Sequence, residues 1–230
     1  MKISIVIPAY NEENRIGKTL PHVVSYLKEF SKKNQIQTEI IVVNDGSKDK
    51  TLEVLNTFRE EITIVSYYPN MGKGYALKQG ITKANGDYIY IADADFSTPI
   101  EYIEHFVEKM GKYDCVIGSR ALRKEDIKVS LFRKLLGNSS NLLIRAVLGL
   151  KFKDTQCGFK MFNQKCKTYF LMCENNRWGY DFEFLYLLQK NGLIIKEMPV
   201  EWEAAGESHV TPGSYFKTFA ELLHVRKAHK

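Results

Sequence analysis

The sequence has no apolar segment that approaches the roughly 20 residues needed to span a bilayer as a helix. Its amino terminus, MKISIVIPAYNEE, carries only a short apolar run before proline and acidic residues, so it lacks the core of a signal peptide. A transmembrane or secreted protein is therefore not expected, and we predict a cytoplasmic chain.

Cysteine is scarce and unpatterned. The four cysteines form neither a CxxC pair nor the paired spacing of a zinc site; they are Cys115, Cys157, Cys166 and Cys173. A chain of 230 residues is long enough to bury a core without disulfides. We therefore expect reduced, mostly buried thiols.

The chain also lacks a linker rich in Pro, Gly or Ser and any internal repeat of fixed period. This predicts a single domain over residues 1–230. The formal net charge of +6 favours an anionic partner, such as a phosphorylated metabolite, a lipid headgroup or a nucleic acid. No RNP-like or helix-turn-helix pattern supports nucleic acid, and we expect none as a partner.

Short β-branched segments alternate with helical patterns through the first half of the chain. The predicted strands are 3–8, 39–45, 62–67, 88–93 and 114–119. Between the first two, apolar residues recur at helical spacing from Leu20 to Phe30, and similar patterns separate the later strands. Continuously apolar strands joined by helices predict an α/β fold, with a mostly parallel sheet covered on both faces.

Polar loops follow these strands at their carboxyl ends, which is where a parallel sheet binds its ligands. PAYNEE follows the first strand, NDGSKDKT the second and DADFSTP the fourth, while NMGKG precedes the third helix. The sequence predicts that these four loops converge on one cleft.

Two aspartates, Asp93 and Asp95, end the fourth predicted strand. In an extended strand, residues i and i+2 point the same way, so both carboxylates could face one metal ion. Carboxylates suit Mg²⁺ or Mn²⁺, which usually bridge to substrate phosphates. A solvated acidic strand end is the alternative for the pair alone, but Ser97, Thr98 and the neighbouring loops favour the metal.

The sequence patterns around Asp45 and Lys73 are weaker indications of a binding site. Asp45 precedes a glycine, which is a common turn sequence. Lys73, in NMGKG, resembles a phosphate-binding lysine, but the full G-x-x-x-x-G-K-[ST] pattern of a P-loop is missing. This departure argues against a kinase or an ATPase.

Taken in order, the motifs resemble the family 2 glycosyltransferases of GT-A fold; they are IPAYNEE, VVNDGS, NMGKG, DADFSTP, GSR, DTQCGFKMF and WGYDFEF. Within that family the resemblance is to the polyprenyl-phosphate sugar synthases. DTQCGFKMF is more similar to the dolichyl-phosphate β-glucosyltransferase branch than to the mannose synthases. The resemblance implies a nucleotide-sugar and metal-binding half at 1–119 and an acceptor-binding half at 120–230.

The resemblance also implies roles for single residues. Asp93 and Asp95, with Ser97, would hold Mg²⁺ or Mn²⁺, Lys73 would lie near the donor diphosphate, and Asp45 would accept hydrogen bonds from the base. The implied nucleotide-sugar-binding residues are Pro8, Ala9, Tyr10, Glu12, Asp45, Lys73, Asp93, Ala94 and Asp95. UDP-glucose is favoured as the donor, and GDP-mannose is second.

A polyprenyl phosphate acceptor is an anion, so cationic residues are expected to bind it. Guanidinium groups match phosphate oxygens in a bidentate manner, so we predict that Arg120 and Arg133 bind the acceptor phosphate. We also predict that Gln156 binds the acceptor phosphate. Arg133 could equally lie on a solvated helix face. In ESHV (207–210), His209 stands where related sequences suggest a lysine.

Asp181 and Glu183, in WGYDFEF, are candidates for a catalytic base if the acceptor is a hydroxyl. Because residues two apart cannot share one helical face, one could be catalytic and the other a cap. Asp181 could instead only cap the helix. We predict Asp95, Asp181 and Arg120 as the catalytic residues.

Two basic amphipathic segments lie in the second half, at 130–152 and 215–230. Such segments can lie in a membrane interface, although core packing explains most leucines of this kind. We expect peripheral association with the cytoplasmic face of a membrane.

The expected activity is metal-dependent, inverting transfer of a hexose from a nucleotide sugar to a polyprenyl phosphate. One alternative is transfer to a saccharide or protein hydroxyl with Asp181 as the base. The other, outside the enzymes, is a module that binds a nucleotide sugar or a nucleic acid.

Overall fold

The computed structural model describes the backbone of residues 1–123, 131–202 and 212–229, and within these ranges the side chains outside 131–136 and 212–216. This part of the chain contains one sheet with strands Lys2–Ala9 (β1), Gln37–Asp45 (β2), Thr63–Tyr67 (β3), Tyr88–Ile91 (β4), Cys115–Ser119 (β5), Lys160–Asn163 (β6) and Ile195–Pro199 (β7). The order across the sheet is β3-β2-β1-β4-β6-β5-β7. All pairs are parallel except those of β6, which is antiparallel to both neighbours.

Helices connect the strands, and a short 3₁₀ turn at Arg120–Leu122 follows β5. The α-helices of the described chain are Glu13–Asn34 (α1), Thr51–Asn56 (α2), Lys73–Lys83 (α3), Tyr102–Lys109 (α4), Leu131–Leu148 (α5), Gln164–Met172 (α6), Tyr180–Lys190 (α7) and Pro212–Ala228 (α8). None of these helices is long and apolar enough to cross a bilayer.

The hydrophobic core lies in two clusters, and β1 contributes to both of them. Ile3, Ile5 and Ile7 pack in the first cluster with the buried face of α1. Val6 packs in the second cluster. Because both faces of β1 are buried, its sequence is continuously apolar instead of alternating. The four cysteines are buried and free, as predicted.

The predicted α/β fold with a mostly parallel sheet is confirmed. Two details differ from the prediction. β4 ends at Ile91 and does not extend to Asp93, and β6 begins inside DTQCGFKMF, where no strand was predicted. A four-residue strand that contains a lysine has neither the length nor the apolar pattern that predicts a strand.

The position of β6 brings the second half of the chain to the ligand edge of the sheet. Lys160, the first residue of β6, lies opposite Ile91, the last residue of β4, and also opposite Ile117 of β5. Since β6 is antiparallel, its amino end lies near the carboxyl ends of the parallel strands. Residues 154–160 therefore reach the edge that carries the polar loops.

Candidate active site

The loops after β1 and β2 are joined by hydrogen bonds. The Asn11 backbone N–H donates to Ser47 Oγ (3.0 Å), the Lys48 N–H donates to Asn11 Oδ1 (2.8 Å), and the Glu12 N–H donates to Thr51 Oγ1 (2.7 Å). Asn11 has a left-handed φ of 54°, which asparagine tolerates more readily than most residues. The two loops therefore form one wall of the site.

Four predicted nucleoside-binding residues line the start of this wall. Ala9 is buried, while Pro8 and Tyr10 are half-buried. Glu12 is buried, and its carboxylate pairs with Arg15 Nε at 2.6 Å. Pro8 and Tyr10 are thus the members of this set with surface open to a ligand.

Asp45, at the end of β2, organises the loop before α3. Its Oδ1 accepts the Met71 N–H (2.7 Å), and its Oδ2 accepts the Gly72 N–H (2.9 Å) and the Asn70 side-chain amide (2.7 Å). Gly72 has a φ of 105°, and a side chain there would clash with the backbone of Asn176. Asp45 therefore fixes the backbone that leads into Lys73.

The amino terminus of α3 is closed by protein and offers no phosphate cradle. The Gly74 N–H donates to the Arg177 carbonyl (3.2 Å) and the Tyr75 N–H donates to the Asn176 carbonyl (3.0 Å). A P-loop would instead direct such N–H groups at a phosphate. This geometry agrees with the missing P-loop pattern, and it leaves the Lys73 side chain as the cationic group of this loop.

Lys73 reaches across to the loop after β4. Its ammonium lies 2.5 Å from Asp93 Oδ1 and 5.6 Å from the centroid of the Trp178 ring. Burial would lower the pKa of Lys73, but the carboxylates of Asp93, Asp181 and Asp95 outweigh it and raise that pKa above its usual value. The side chains of Lys73 and Asp93 are 19% and 27% exposed, so this charged pair can still meet a ligand.

Asp93 and Asp95 lie in a turn, so the strand alternation expected for them was wrong. The Phe96 N–H donates to the Asp93 carbonyl (3.1 Å), and Asp95 Oδ1 accepts the Ser97 N–H (3.0 Å). Thr19 of α1 donates to the Ala94 carbonyl at 3.0 Å. With these bonds and the Lys73–Asp93 pair, the predicted convergence of the four loops is confirmed.

Asp181, the second residue of α7, is buried against the amino end of β6. Its Oδ1 accepts a hydrogen bond from Lys160 Nζ, which also donates to the Cys157 carbonyl. The side chains of Lys160 and Asp181 are 1% and 4% exposed. Burial raises the pKa of Asp181, and the ammonium groups of Lys160 and Lys73 oppose that rise. The N-cap of α7 is Gly179 and not Asp181, so the capping alternative is not supported.

Glu183 points away from Asp181, as their spacing predicts. Its carboxylate accepts the backbone N–H groups of Glu174 (2.8 Å) and Asn175 (2.9 Å) and the Asn175 side-chain amide (2.7 Å). It also lies 2.7 Å from Nε2 of His229. Glu183 is fully buried and its carboxylate is already hydrogen-bonded, so it is not available to act as a base.

Arg120 is held by a carboxylate that the sequence did not single out. Its Nε and Nη2 donate to the two oxygens of Asp154, at 2.8 and 3.0 Å, and Nη2 also donates to the Gln156 carbonyl (3.3 Å). Burial would lower the pKa of Arg120, but Asp154 outweighs it and raises that pKa. The Arg120 side chain is 31% exposed, while that of Asp154 is 8% exposed.

Two residues considered above lie outside the described side chains; they are Arg133, predicted for the acceptor phosphate, and His209, in the ESHV segment. Gln156 is half-buried, and its backbone is held by Asp154 and Arg120. The described residues therefore place Arg120 and Gln156 together, beside the amino end of β6.

The comparison with protein families decides the class of this site. The model of the family described as "Glycosyl transferase family 2" matches residues 4–170, which include every loop described so far except the one before α7. The chain belongs to glycosyl transferase family 2. It is therefore a glycosyltransferase that uses a nucleotide sugar, as the motifs predicted.

Curated family 2 relatives match over nearly the whole chain. A dolichyl-phosphate beta-glucosyltransferase of Trichomonas vaginalis is 36% identical, covering 99% of this chain and 74% of the relative. The protein of that name from Homo sapiens is 33% identical, covering 98% and 75%. The predicted resemblance to this branch of the family is confirmed.

Solved structures confirm the GT-A fold of this family 2 member. Glucosyl-3-phosphoglycerate synthase of Mycobacterium tuberculosis, in complex with Mn²⁺, UDP-glucose and phosphoglyceric acid, superposes with a TM-score of 0.72. It is 19% identical and covers 98% of this chain and 80% of its own. A mannosyl-3-phosphoglycerate synthase of Rubrobacter xylanophilus superposes with a TM-score of 0.70 at 17% identity.

The donor atoms of this glycosyltransferase suit a metal that shares its ligands with a substrate. No three His, Cys, Asp or Glu side chains converge within the described ranges. Asp93 and Asp95 are both partly exposed, and Ser97 Oγ is buried without a hydrogen-bond partner in the described residues. Mg²⁺ is typically held by one or two carboxylates plus substrate phosphates, so these residues fit such an ion.

Sequence reasoning missed Lys160, Asp154 and Trp178, although each stands in a quoted motif. The available sign of Lys160 was that apolar residues flank it. A lysine in such a position is expected to be buried, and a buried lysine requires a partner. Gly158 marks a close approach between this motif and Asp93. A side chain at Gly158 would meet the carboxylate of Asp93 at 2.6 Å, so DTQCGFKMF must pass directly under that aspartate.

Proposed function

We propose that this chain transfers glucose from UDP-glucose to a polyprenyl phosphate of the dolichyl type, with inversion at the anomeric carbon. The observation that carries the proposal is the partly exposed Lys73–Asp93 pair, next to Asp95, at the carboxyl edge of the sheet. The names of the curated relatives support glucose and the lipid phosphate. GDP-mannose is the second donor to test.

In this proposal the donor lies over the four joined loops. The nucleoside contacts Pro8 and Tyr10, while the buried Ala9, Glu12 and Asp45 support the loops behind them. The diphosphate lies between Lys73 and the Asp93–Ala94–Asp95 turn. Trp178 and Gly158 lie beside that turn, so the proposed donor half at 1–119 is completed by residues of the acceptor half at 120–230.

Asp93 and Asp95, with Ser97, would hold Mg²⁺ or Mn²⁺, which neutralises the charge that develops on the departing diphosphate. Lys73 adds a positive charge on the same side, where it can orient the phosphates before transfer. When the diphosphate and metal enter, Lys73 exchanges part of its contact with Asp93 for a phosphate oxygen. The lysine therefore has a partner both before and after the donor binds.

Arg120 and Gln156, with Arg133, would bind the acceptor phosphate. Arg120 uses Nε and one Nη2 hydrogen bond on Asp154, which leaves Nη1 for a phosphate oxygen. A lipid phosphate is already an anion near neutral pH, so its oxygen can attack the sugar without a strong base. Asp154 keeps the guanidinium oriented for this contact.

The membrane surface is part of the proposal. Leu142 and Leu143 on α5 are 64% and 43% exposed, and Phe219 and Leu223 on α8 are 46% and 49% exposed. Helices that combine exposed leucines with arginine and lysine bind anionic membrane interfaces. These two helices would hold the enzyme on the cytoplasmic face, where it meets its lipid acceptor.

Transfer to a saccharide or protein hydroxyl is the second candidate. The raised pKa of Asp181 favours it, because a carboxyl with a raised pKa is a better proton acceptor. Asp181→Asn should reduce hydroxyl transfer by about 10³-fold, the scale of a lost general base, but slow phosphate transfer only moderately.

The deciding experiment is a transfer assay with labelled UDP-glucose and GDP-mannose in parallel, a short polyprenyl phosphate, and Mg²⁺ or Mn²⁺ present or absent. Metal-dependent label in the lipid phase from UDP-glucose is the expected result. Label from GDP-mannose alone would contradict the donor. Free sugar without labelled lipid would contradict the acceptor and favour a hydroxyl.

A further inference from the structure

The buried carboxylate of Glu183 gathers the segment between α6 and α7. It accepts three hydrogen bonds from Glu174 and Asn175, at 2.7 to 2.9 Å, and it is 0% exposed. A buried carboxylate with this many donors fixes the backbone around it, since losing a partner would leave buried polar groups unsatisfied.

The fixed segment in turn builds the loop of Lys73. Its Asn176 and Arg177 carbonyls accept the first N–H groups of α3, and Gly72 and Gly74 pack so closely on it that a side chain at either would clash with its backbone. Trp178 follows at once and lies under the Lys73 ammonium. Displacement of the 174–179 segment would therefore move the lysine that faces the diphosphate site.

Helix α8 contacts the segment through Glu221, and His229, the residue directly after the helix, contacts Glu183. His229 Nε2 lies 2.7 Å from Glu183 Oε1, and the His229 side chain is only 11% exposed. Glu221 Oε2 accepts the Gly179 N–H at 2.8 Å. The helix with exposed Phe219 and Leu223 is thus bonded to the segment that supports the donor site.

We propose that Glu183 is a positioning residue for the nucleotide-diphosphate site, and that its contact with His229 makes donor binding depend on the docking of α8. The inference rests on the proposed donor site. It assigns a functional reason to a buried Glu–His contact outside the proposed metal, donor and acceptor sites.

A second Glu–His contact between α8 and this segment supplies the matched control. His224 Nε2 lies 2.6 Å from Glu174 Oε2, but both side chains are about half exposed, so this contact lies at the surface and not in the buried interior of the segment. Glu174→Gln should therefore change nothing, whereas Glu183→Gln places an amide against N–H donors and should loosen the segment.

The test is calorimetric binding of UDP with Mn²⁺, together with Trp178 emission measured without nucleotide in a Trp202→Phe background. Glu183→Gln should raise the Kd for UDP about tenfold and shift the Trp178 emission to the red, and His229→Ala should raise the Kd about threefold. His229→Gln keeps an N–H donor and should restore most of the affinity. The acceptor KM should stay within about twofold in all of them, since the acceptor side is not displaced.

Unchanged Kd and Trp178 emission in folded Glu183→Gln would overturn the positioning role. If that variant fails to fold, the same unchanged values in His229→Ala overturn it, as would an equal effect of Glu174→Gln. Failure of the wild-type protein to bind UDP would overturn the proposed function instead, and the Trp178 emission would still decide whether Glu183 positions the segment.

Discussion

The two sides of the site treat their charges differently. On the proposed donor side, Asp93 and Lys73 are paired but partly exposed, at 27% and 19%. On the proposed acceptor side, Asp154 and the Lys160–Asp181 pair are buried, at 8%, 1% and 4%. An exposed pair can exchange its partner for an incoming ion, whereas a buried pair already neutralises itself and serves mainly to hold its neighbours in place.

The largest expected effect is on the exposed side of this comparison. Asp95→Ala removes one of two carboxylates suited to a metal, and we expect loss of metal-dependent transfer by about 10³-fold or more. Transfer rates across a Mn²⁺ titration measure it. Asp87→Asn is the control, because Asp87 directly precedes the other end of β4, where it accepts the Lys2 N–H. Full activity of Asp95→Ala in the presence of a chelator would refute the metal assignment.

On the buried side, Lys160→Met leaves Asp181 without its cation. Removal of one partner of a buried ion pair costs about 3–5 kcal/mol, so the variant should unfold at markedly lower urea concentration. The double variant with Asp181→Asn should recover much of that loss, because the unpaired charge is gone. If the two substitutions were simply additive, the pair would not be the coupled unit that the contact indicates.

Substitution of Arg120 tests whether a residue that is paired with a buried carboxylate also contacts substrate. Arg120→Ala should raise the KM for the lipid acceptor about tenfold, by loss of a charged hydrogen bond, and that for the donor by no more than about twofold. Arg120→Lys keeps the charge without the bidentate geometry and should lie between. Equal effects on both KM values would place Arg120 on the donor instead.

The pH dependence of stability tests the buried Arg120–Asp154 pair without a substrate. Burial would raise the pKa of Asp154, but Arg120 outweighs it and holds that pKa below its usual value. The pair therefore stabilises the fold above the unfolded pKa of about 4, and this contribution is lost as pH falls below that value. Urea unfolding between pH 6 and pH 3 should show a weaker pH dependence for Asp154→Asn than for wild type. Identical pH profiles would mean that the pair adds nothing to stability.

The smallest expected effect concerns the exposed leucines. Leu142→Ser should weaken sedimentation with anionic vesicles by about threefold to tenfold, which corresponds to loss of one exposed leucine from an apolar contact. Transfer to a short, water-soluble acceptor should stay unchanged. Leu52→Ser, an exposed leucine on α2, is the matched control. Equal losses in the two variants would argue against a membrane-binding face on α5.

The residues proposed for the donor could be singled out from the sequence because each stands in a local motif that follows an apolar strand. Asp45, Lys73, Asp93 and Asp95 were all predicted in this way, although the turn at Asp93–Asp95 was not. A strand end and a turn differ only in backbone angles over two residues, which the pattern of apolar side chains does not encode.

The pairs on the proposed acceptor side could not be predicted in the same way because they join distant motifs. Arg120 and Asp154 are 34 residues apart, and Lys160 and Asp181 are 21 apart. Each residue alone is compatible with a solvated surface. Only the antiparallel placement of β6, which no local pattern predicts, brings these partners together.

That placement of β6 also bears on how the chain assembles during synthesis. β4 pairs with β1 and β6, and β5 pairs with β6 and β7, so no hydrogen bonds join β4 to β5 directly. When the ribosome has made only residues 1–119, β5 has no partner and β4 has an open edge. The gap between β4 and β5 is filled only after Asn163 has emerged, so the sheet of this enzyme needs strands from both halves of the chain.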